Sequence, residues 1–234
     1  DELAGMMNAY QQKMQMKRET IDNKGIWRGT KMYILNAWNV EGVQYDKPKL
    51  KMTGIEAVRS STPHVCRDKI KEALNIIMNG TERELQKYIE DFKKEFLEMP
   101  FESIAFPRGV KLYHYVKADN GGVFKAPYKL GDKGLPIHVR GALLYNMMRS
   151  KNAETANLPP IQDGDKIKFA YMMLPNPLRE NVFATLGEMP KEFNLDKYVD
   201  RNLQFSKTFL EPIESITSII GWKAEKKVSL EDFF

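Results

Sequence analysis

Cysteine is almost absent: Cys66 is the one thiol in 234 residues. No internal disulfide can form, which fits a reducing compartment. The three histidines, His64, His114 and His138, are far apart and share no close ligand spacing. With a single cysteine, that donor set argues against a structural zinc site. There is no Gly-rich phosphate loop and no internal repeat, and no Ser/His/Asp arrangement stands out. No apolar run approaches the ~20 residues that span a bilayer, so no membrane partner is expected. No signal-peptide pattern opens the chain. It begins at Asp1, without Met and inside an amphipathic pattern, so it reads as a trimmed or split piece of something longer.

What remains is the make-up of a soluble globular protein, 42% hydrophobic and 29% charged. The length suits one domain or two small ones with a buried core. A net charge of +5 and a pI near 9.0 suit an anionic partner, as they suit many mildly basic proteins.

The stretch from Gly25 to Pro63 organises the rest. It opens as a tight basic hairpin, with Arg28 and Lys31 among Trp27 and Tyr33. It continues as an apolar strand over Met32–Trp38 and turns at Glu41-Gly42. It returns through Lys47, Lys49 and Lys51, and ends at Ser60-Ser61-Thr62-Pro63, a helix start. Aromatics interleaved with lysines on strands resemble a surface that holds a nucleic-acid backbone. The same pattern also describes an ordinary amphipathic hairpin with a solvated lysine face.

Along the rest of the chain, Leu3, Met6, Met7 and Tyr10 predict a helix over 1–15 with one buried face. A strand is expected over Met16–Ile21. Thr62-Pro63 predicts an N-cap followed by proline, and apolar spacing carries that helix to Met78. Asn79-Gly80 closes it, with glycine free to take positive φ. Thr81 and Glu84 form a capping box for a second, antiparallel helix. A strand is expected within 101–110, centred on Ser103–Phe106. Residues 107–135 read as a long loop turning at Gly121-Gly122, and a helix follows from Pro136 to Ser150. Strands are expected at Lys166–Leu174 and Val182–Leu186. A long helix is expected from Leu195 to Ile220, broken near Pro212, with Leu203 and Phe209 among its buried positions.

The chain ends in Ser-Leu-Glu-Asp-Phe-Phe after a charged tether. One turn of helix would set Leu230, Phe233 and Phe234 on one side as an apolar plug for a partner's pocket. The alternative is that both rings fold back onto the domain. Asp163-Gly164-Asp165 is the one Asp-x-Asp. It could in principle bind magnesium, but in front of a strand it reads first as a turn.

Several of these segments resemble B-family DNA polymerases, most closely the replicative polymerases of T-even-like bacteriophages. They are Lys31-Met32-Tyr33 with Asn36, Trp38 and Glu41-Gly42; Lys49 to Glu56; Arg59 to Pro63; and His138-Val139-Arg140-Gly141-Ala142-Leu143-Leu144-Tyr145-Asn146. The resemblance runs over nearly the whole chain and is loose across 107–130 and 175–195. It implies an α+β chain made of three parts: the C-terminal part of a palm (1–54), a mostly helical thumb (55–224) and a sliding-clamp-binding tail (225–234).

In that family a Lys-x-Tyr motif touches the minor groove of newly made primer–template duplex, a role the resemblance gives to Lys31 and Tyr33. Two further basic residues of the motif are replaced here by Thr30 and Met32. The implied DNA contacts also include Arg28, Ser60, Ser61, Thr62, Lys133, Arg140 and Lys207. Arg149 lies near another contact position. Glu211 stands where the family tends toward lysine.

The catalytic aspartates that hold magnesium in the complete polymerase would precede this chain, which implies neither catalytic nor metal residues here. The implied partners are the duplex, a sliding clamp and an N-terminal polymerase chain or domain, in the cytoplasm of an infected bacterial host. An apolar palm edge is then expected to be exposed within residues 1–40. Two other classes stay open: a stand-alone duplex- or clamp-binding accessory protein, and an unrelated α+β enzyme using Asp163 and Asp165.

Overall fold

A computed structural model describes residues 1–10, 13–119, 121–151 and 153–226. The fold is α+β, with helices packed among three small antiparallel sheets. The first sheet is a meander of β1 (Thr20–Gly29), β2 (Met32–Val40) and β3 (Val43–Thr53). Register aligns Ile26, Ile34 and Met52 across the three strands, and these side chains enter the core. Glu41 and Gly42 both take positive φ (51° and 89°) in the expected turn. That two-residue geometry matches the twist of the flanking strands.

Helix α1 is short, Glu2–Ala9, and buries no residue. The expected buried face does not exist: Leu3, Met6 and Tyr10 are exposed. The expected strand at Met16 is also displaced, because β1 starts only at Thr20. The side chain of Asn8 takes both the N–H and the carbonyl of Met16, and Arg18 reaches back to Asp1. Backbone groups held this way cannot join a ladder.

Helices α2 (His64–Asn79) and α3 (Glu82–Leu97) form an antiparallel pair. The Thr81–Glu84 capping box is complete in both directions. At α2 the expectation shifts by one residue: Pro63, not Thr62, is the N-cap, and buried Thr62 does not cap. Gly80 does not use positive φ; its backbone is extended at φ −114°. Glycine is needed there for space, since a Cβ would stand 2.7 Å from Glu84 Oε2 and 3.0 Å from Ile76 O. Lys24 donates to Met78 O at 2.8 Å, so β1 satisfies a terminal carbonyl of α2.

Residues 101–104 are a single helical turn, α4 (Phe101–Ile104), instead of the start of a strand. Phe101 and Ile104, three apart, both enter the core. Strand β4 (Phe106–Gly109) follows, and then a feature unseen in the expected loop: a hairpin of β5 (Tyr113–Lys117) and β6 (Val123–Pro127), turning through Gly121 at φ 81°. Helix α5 (Ile137–Lys151) packs on a sheet ordered β4-β7-β8, with β7 at Lys166–Tyr171 and β8 at Val182–Thr185. The packing is close at Gly141, where a Cβ would lie 3.0 Å from Ala184 Cβ.

The long C-terminal helix starts later than expected. Leu195–Asp200 holds a 3-10 turn and a bridge from Val199 to Met172. Then come α6 (Arg201–Phe205), a π-helical turn (Ser206–Leu210) and α7 (Glu211–Thr217). Pro212 does not break the run. The turn before it widens, with Glu211 N–H reaching Ser206 O, and proline sits in the first turn of α7. Leu203 faces out at 37% exposure, while Phe205 takes the inward position. Phe92, Phe96, Phe205 and Phe209 then pack ring to ring at 4.7–5.8 Å. Pairs of this kind add about 0.5–1.5 kcal/mol each beyond burial. Cys66 is fully buried, and burial pushes its thiol up to about 12, so it is held as the neutral thiol at neutral pH. Among the described residues no helix is long and apolar enough to cross a membrane.

Candidate nucleic-acid interface

The turn from β1 to β2 carries Thr30 and Lys31. Lys31 holds the left-handed backbone conformation, φ 59°, which ordinarily falls to glycine. Its side chain is exposed. Trp27, Tyr33 and Thr53 are cross-strand partners and therefore share one face of the sheet, opposite the Ile26–Ile34–Met52 face. Trp27 is 63% exposed and Tyr33 half-buried. The Trp27 ring lies along Gly25 and Leu35: a Cβ on Gly25 would come within 2.5 Å of the indole. Lys49 and Lys51, opposite Ala37 and Leu35, extend the same face. Lys49 sits 4.0 Å above the Tyr45 ring. Lys51 is paired with Glu19, whose hydrogen bond holds its ammonium above the usual lysine range.

This turn is braced from behind. Gly54, at φ 67°, brings the end of β3 against the Lys31 carbonyl. Arg28 makes a two-pronged contact with Glu56, at 3.0 and 2.8 Å, both partners largely buried. Arg59 closes the same knot, donating to Gly54 O at 2.8 Å and approaching Glu56 at 3.4 Å. Lys31, Tyr33 and Arg28 are thus brought together. Arg28 is spent on Glu56, so its visible role is to position the turn. Arg59 is a bracing residue that sequence reasoning passed over; its spacing of three from Glu56 was the available signal.

Ser60 is exposed, Ser61 half-buried and Thr62 buried, in the approach to α2. Ser60 and Thr62 line an open cavity of about 670 Å³ that also meets His64, Arg67, Lys168 and Glu102.

The other cationic candidates lie apart from this turn. Lys133 is exposed, with no ion pair or hydrogen bond among the described residues. Arg140, on α5, donates to Asn181 at 2.8 Å and faces Glu180 at 3.5 Å. Lys207, in the π-helical turn, donates to Glu211 at 2.6 Å, and that bond raises its pKa. An exposed pair of this spacing is worth about 0.3–0.5 kcal/mol, so a phosphate can displace Glu211. Arg149 is consumed by the carbonyls of Leu158 and Ala156. Leu230, Phe233 and Phe234 lie outside the described residues. The tether before them is held on α3: Lys223 N–H donates to Glu82, Gln86 donates to Lys223 O, and Lys93 pairs with Glu225.

Asp163 and Asp165 work as turn residues. Asp163 accepts the Leu112 N–H at 2.7 Å and faces Lys125 at 3.3 Å, and the first of these bonds holds its carboxyl below the usual range. Asp165 accepts the Gln162 N–H across Gly164. Among the described residues no group of three His, Cys, Asp or Glu side chains is placed to hold a metal ion.

No protein-family model matches the chain. Relatives do. The chain is 33% identical, over an aligned length of 246 residues, to the DNA-directed DNA polymerase of Escherichia phage RB69. It is 29% identical, over 250 residues, to the DNA-directed DNA polymerase of Enterobacteria phage T4. The relatives are phage DNA polymerases. Each alignment takes in all of this chain and 26% of the polymerase, in its C-terminal part. The resemblance first carried by the Lys31–Pro63 and His138–Asn146 segments thus extends along the entire sequence, and the chain spans about a quarter of the length of each of these polymerases.

Proposed function

We propose that this chain is the palm-end and thumb portion of a replicative phage DNA polymerase, and that it grips the primer–template duplex behind the site of synthesis. The observation that carries the reading is the Lys31 turn. A lysine held at a glycine-type φ, beside Tyr33 and exposed Trp27, is fixed by Gly54 and the Arg28–Glu56 pair. Strain kept at a braced, exposed turn is a mark of function.

In this reading residues 1–54 close the palm, 55–224 form the thumb and 225–234 dock on a sliding clamp. Lys31 and Tyr33 meet the minor groove, where acceptors common to all base pairs allow a check on pair geometry rather than sequence. Lys133, Arg140 and Lys207 meet phosphates, which position the duplex without reading it. Leu230, Phe233 and Phe234 tether the enzyme and raise its effective concentration at the primer end. The enzyme works in the cytoplasm of an infected bacterium.

Catalysis needs the polymerase part that holds the aspartates and magnesium. The exposed side chains Leu3, Met6, Met7, Met14 and Met16 favour a seat for that part beside α1. The test is complementation. A related polymerase lacking its C-terminal quarter, inactive alone, is expected to regain primer extension when this chain is added stoichiometrically. Duplex binding without such rescue would favour the accessory-protein reading instead.

A further inference from the structure

The hairpin β5–β6 has two unlike faces. One is anchored. His114 stacks on Tyr128 with ring centroids 4.2 Å apart, and the hairpin base is tied by Leu112 N–H to Asp163 and by Tyr128 N–H to Leu112 O. The other face is open. Register pairs Tyr113 with Pro127, Tyr115 with Lys125 and Lys117 with Val123, so these six side chains share one side. Tyr115 is 77% exposed and Tyr113 42%. The Tyr115 ring has no ring, cation or hydrogen-bond partner among the described residues. Lys125 stands 4.7 Å over the Tyr113 ring, and Lys117 is exposed at the far end. The charge is one-sided: residues 111–133 hold five lysines against two aspartates.

We propose that this face is a stacking platform for unpaired, single-stranded nucleic acid. Rings two apart on a strand stand about 7 Å from one another, roughly twice the 3.4 Å repeat of stacked bases. Tyr115 offers its π-face to a base, while Lys117 neutralises the phosphate on one side and Lys125, exchanging its 3.3 Å contact with Asp163 for a phosphate, neutralises that on the other. A single strand fits better than a duplex because the π-faces of paired bases are covered by their neighbours. It fits better than an apolar protein segment because lysines interrupt the rings. The inference does not depend on the Lys31 turn, and the two can fail separately.

The experiment is fluorescence anisotropy of the full chain with a labelled 20-nucleotide oligo-dT and with a duplex of equal length, at low and moderate salt. The variants are Tyr115→Ala, Tyr115→Phe, Lys117→Ala and Lys31→Ala/Tyr33→Ala. Removing one stacked ring is expected to weaken oligo-dT binding about five- to hundred-fold. Tyr115→Phe keeps the ring and is expected to bind like the parent. Lys117→Ala is expected to weaken binding and flatten its salt dependence, and Lys31→Ala/Tyr33→Ala to leave oligo-dT binding unchanged. Any of three results overturns the proposal: no oligo-dT binding by the parent, equal binding by Tyr115→Ala, or an equal loss of duplex binding in Tyr115→Ala, which would make the face a duplex contact.

Discussion

The carbonyl oxygen of Lys31 lies 2.3 Å from the point where a Cβ on Gly54 would stand. No side chain fits that gap, and Gly54 also sits at φ 67°. Gly54→Ala therefore combines backbone strain with a backbone clash and is expected to cost about 2–4 kcal/mol. Gly42→Ala, at φ 89° with open space around it, carries the conformational cost alone, about 1–2 kcal/mol. Chemical denaturation of both variants checks the ordering. Equal losses would mean that Gly54 does not brace the Lys31 turn.

Arg28 and Glu56 form the second brace. Each is hydrogen-bonded and mostly shielded, so truncating one strands the other. Arg28→Ala is expected to lose about 1–3 kcal/mol of stability. If Arg28 only positions the turn, Glu56→Gln should weaken duplex binding in the same direction, although it removes a negative charge. Tighter duplex binding in Glu56→Gln would instead make Arg28 a direct phosphate contact released by the change.

How much of this could be read beforehand depended on whether the signal was local. The Thr81–Glu84 capping box and the Glu41-Gly42 turn were legible because adjacent residues decide them. The basic, aromatic hairpin around Lys31 and Tyr33 was legible from composition, whereas the groove contact proposed for the pair rests on resemblance alone. The β5–β6 hairpin was not legible, because it lies in a stretch, 107–135, rich in glycine, aspartate, lysine and proline, while the alternation of Tyr113, Tyr115 and Lys117 spans only five residues. The face of α1 was misread because helical spacing says which residues share a side, not whether anything covers that side. The bracing by Gly54 and Glu56 depends on contacts back to Lys31 and Arg28, more than twenty residues earlier, which local spacing cannot report, whereas the Arg59–Glu56 contact is local.

Asp163 anchors the hairpin by accepting the Leu112 N–H. Asp163→Ala is expected to raise deuterium uptake across residues 111–128, whereas Asp163→Asn, which keeps an acceptor, should raise it less. The carboxyl is held low, so its stabilising effect is present above the ordinary carboxylate value of about 3.9 and is lost as pH falls through the depressed one. Parent and Asp163→Ala should therefore converge in uptake, after correction for intrinsic exchange, only in strong acid. A difference between the two that stays constant from neutral pH into strong acid would contradict this.

His138 opens α5 beside Phe169, where burial, helped by Arg108, holds its imidazole below the usual value. The folded state thus favours the neutral ring. Stability is full above the unfolded value of about 6.5 and falls as pH drops through the folded one. Against His138→Gln, the parent should lose Tm on going from pH 7.5 to pH 5, so the gap between them shifts in the variant's favour. A gap independent of pH would show that His138 does not titrate in this range.

The most direct measurement is binding of primer–template duplex across a salt series, with Lys31→Ala/Tyr33→Ala beside the parent. The account predicts that log affinity falls linearly with log salt, with a slope of about −0.9 for each phosphate neutralised. It also predicts that the double variant binds at least several-fold more weakly at every salt concentration. Duplex binding that is indifferent to Lys31 and Tyr33, or no duplex binding at the lowest salt, would contradict it.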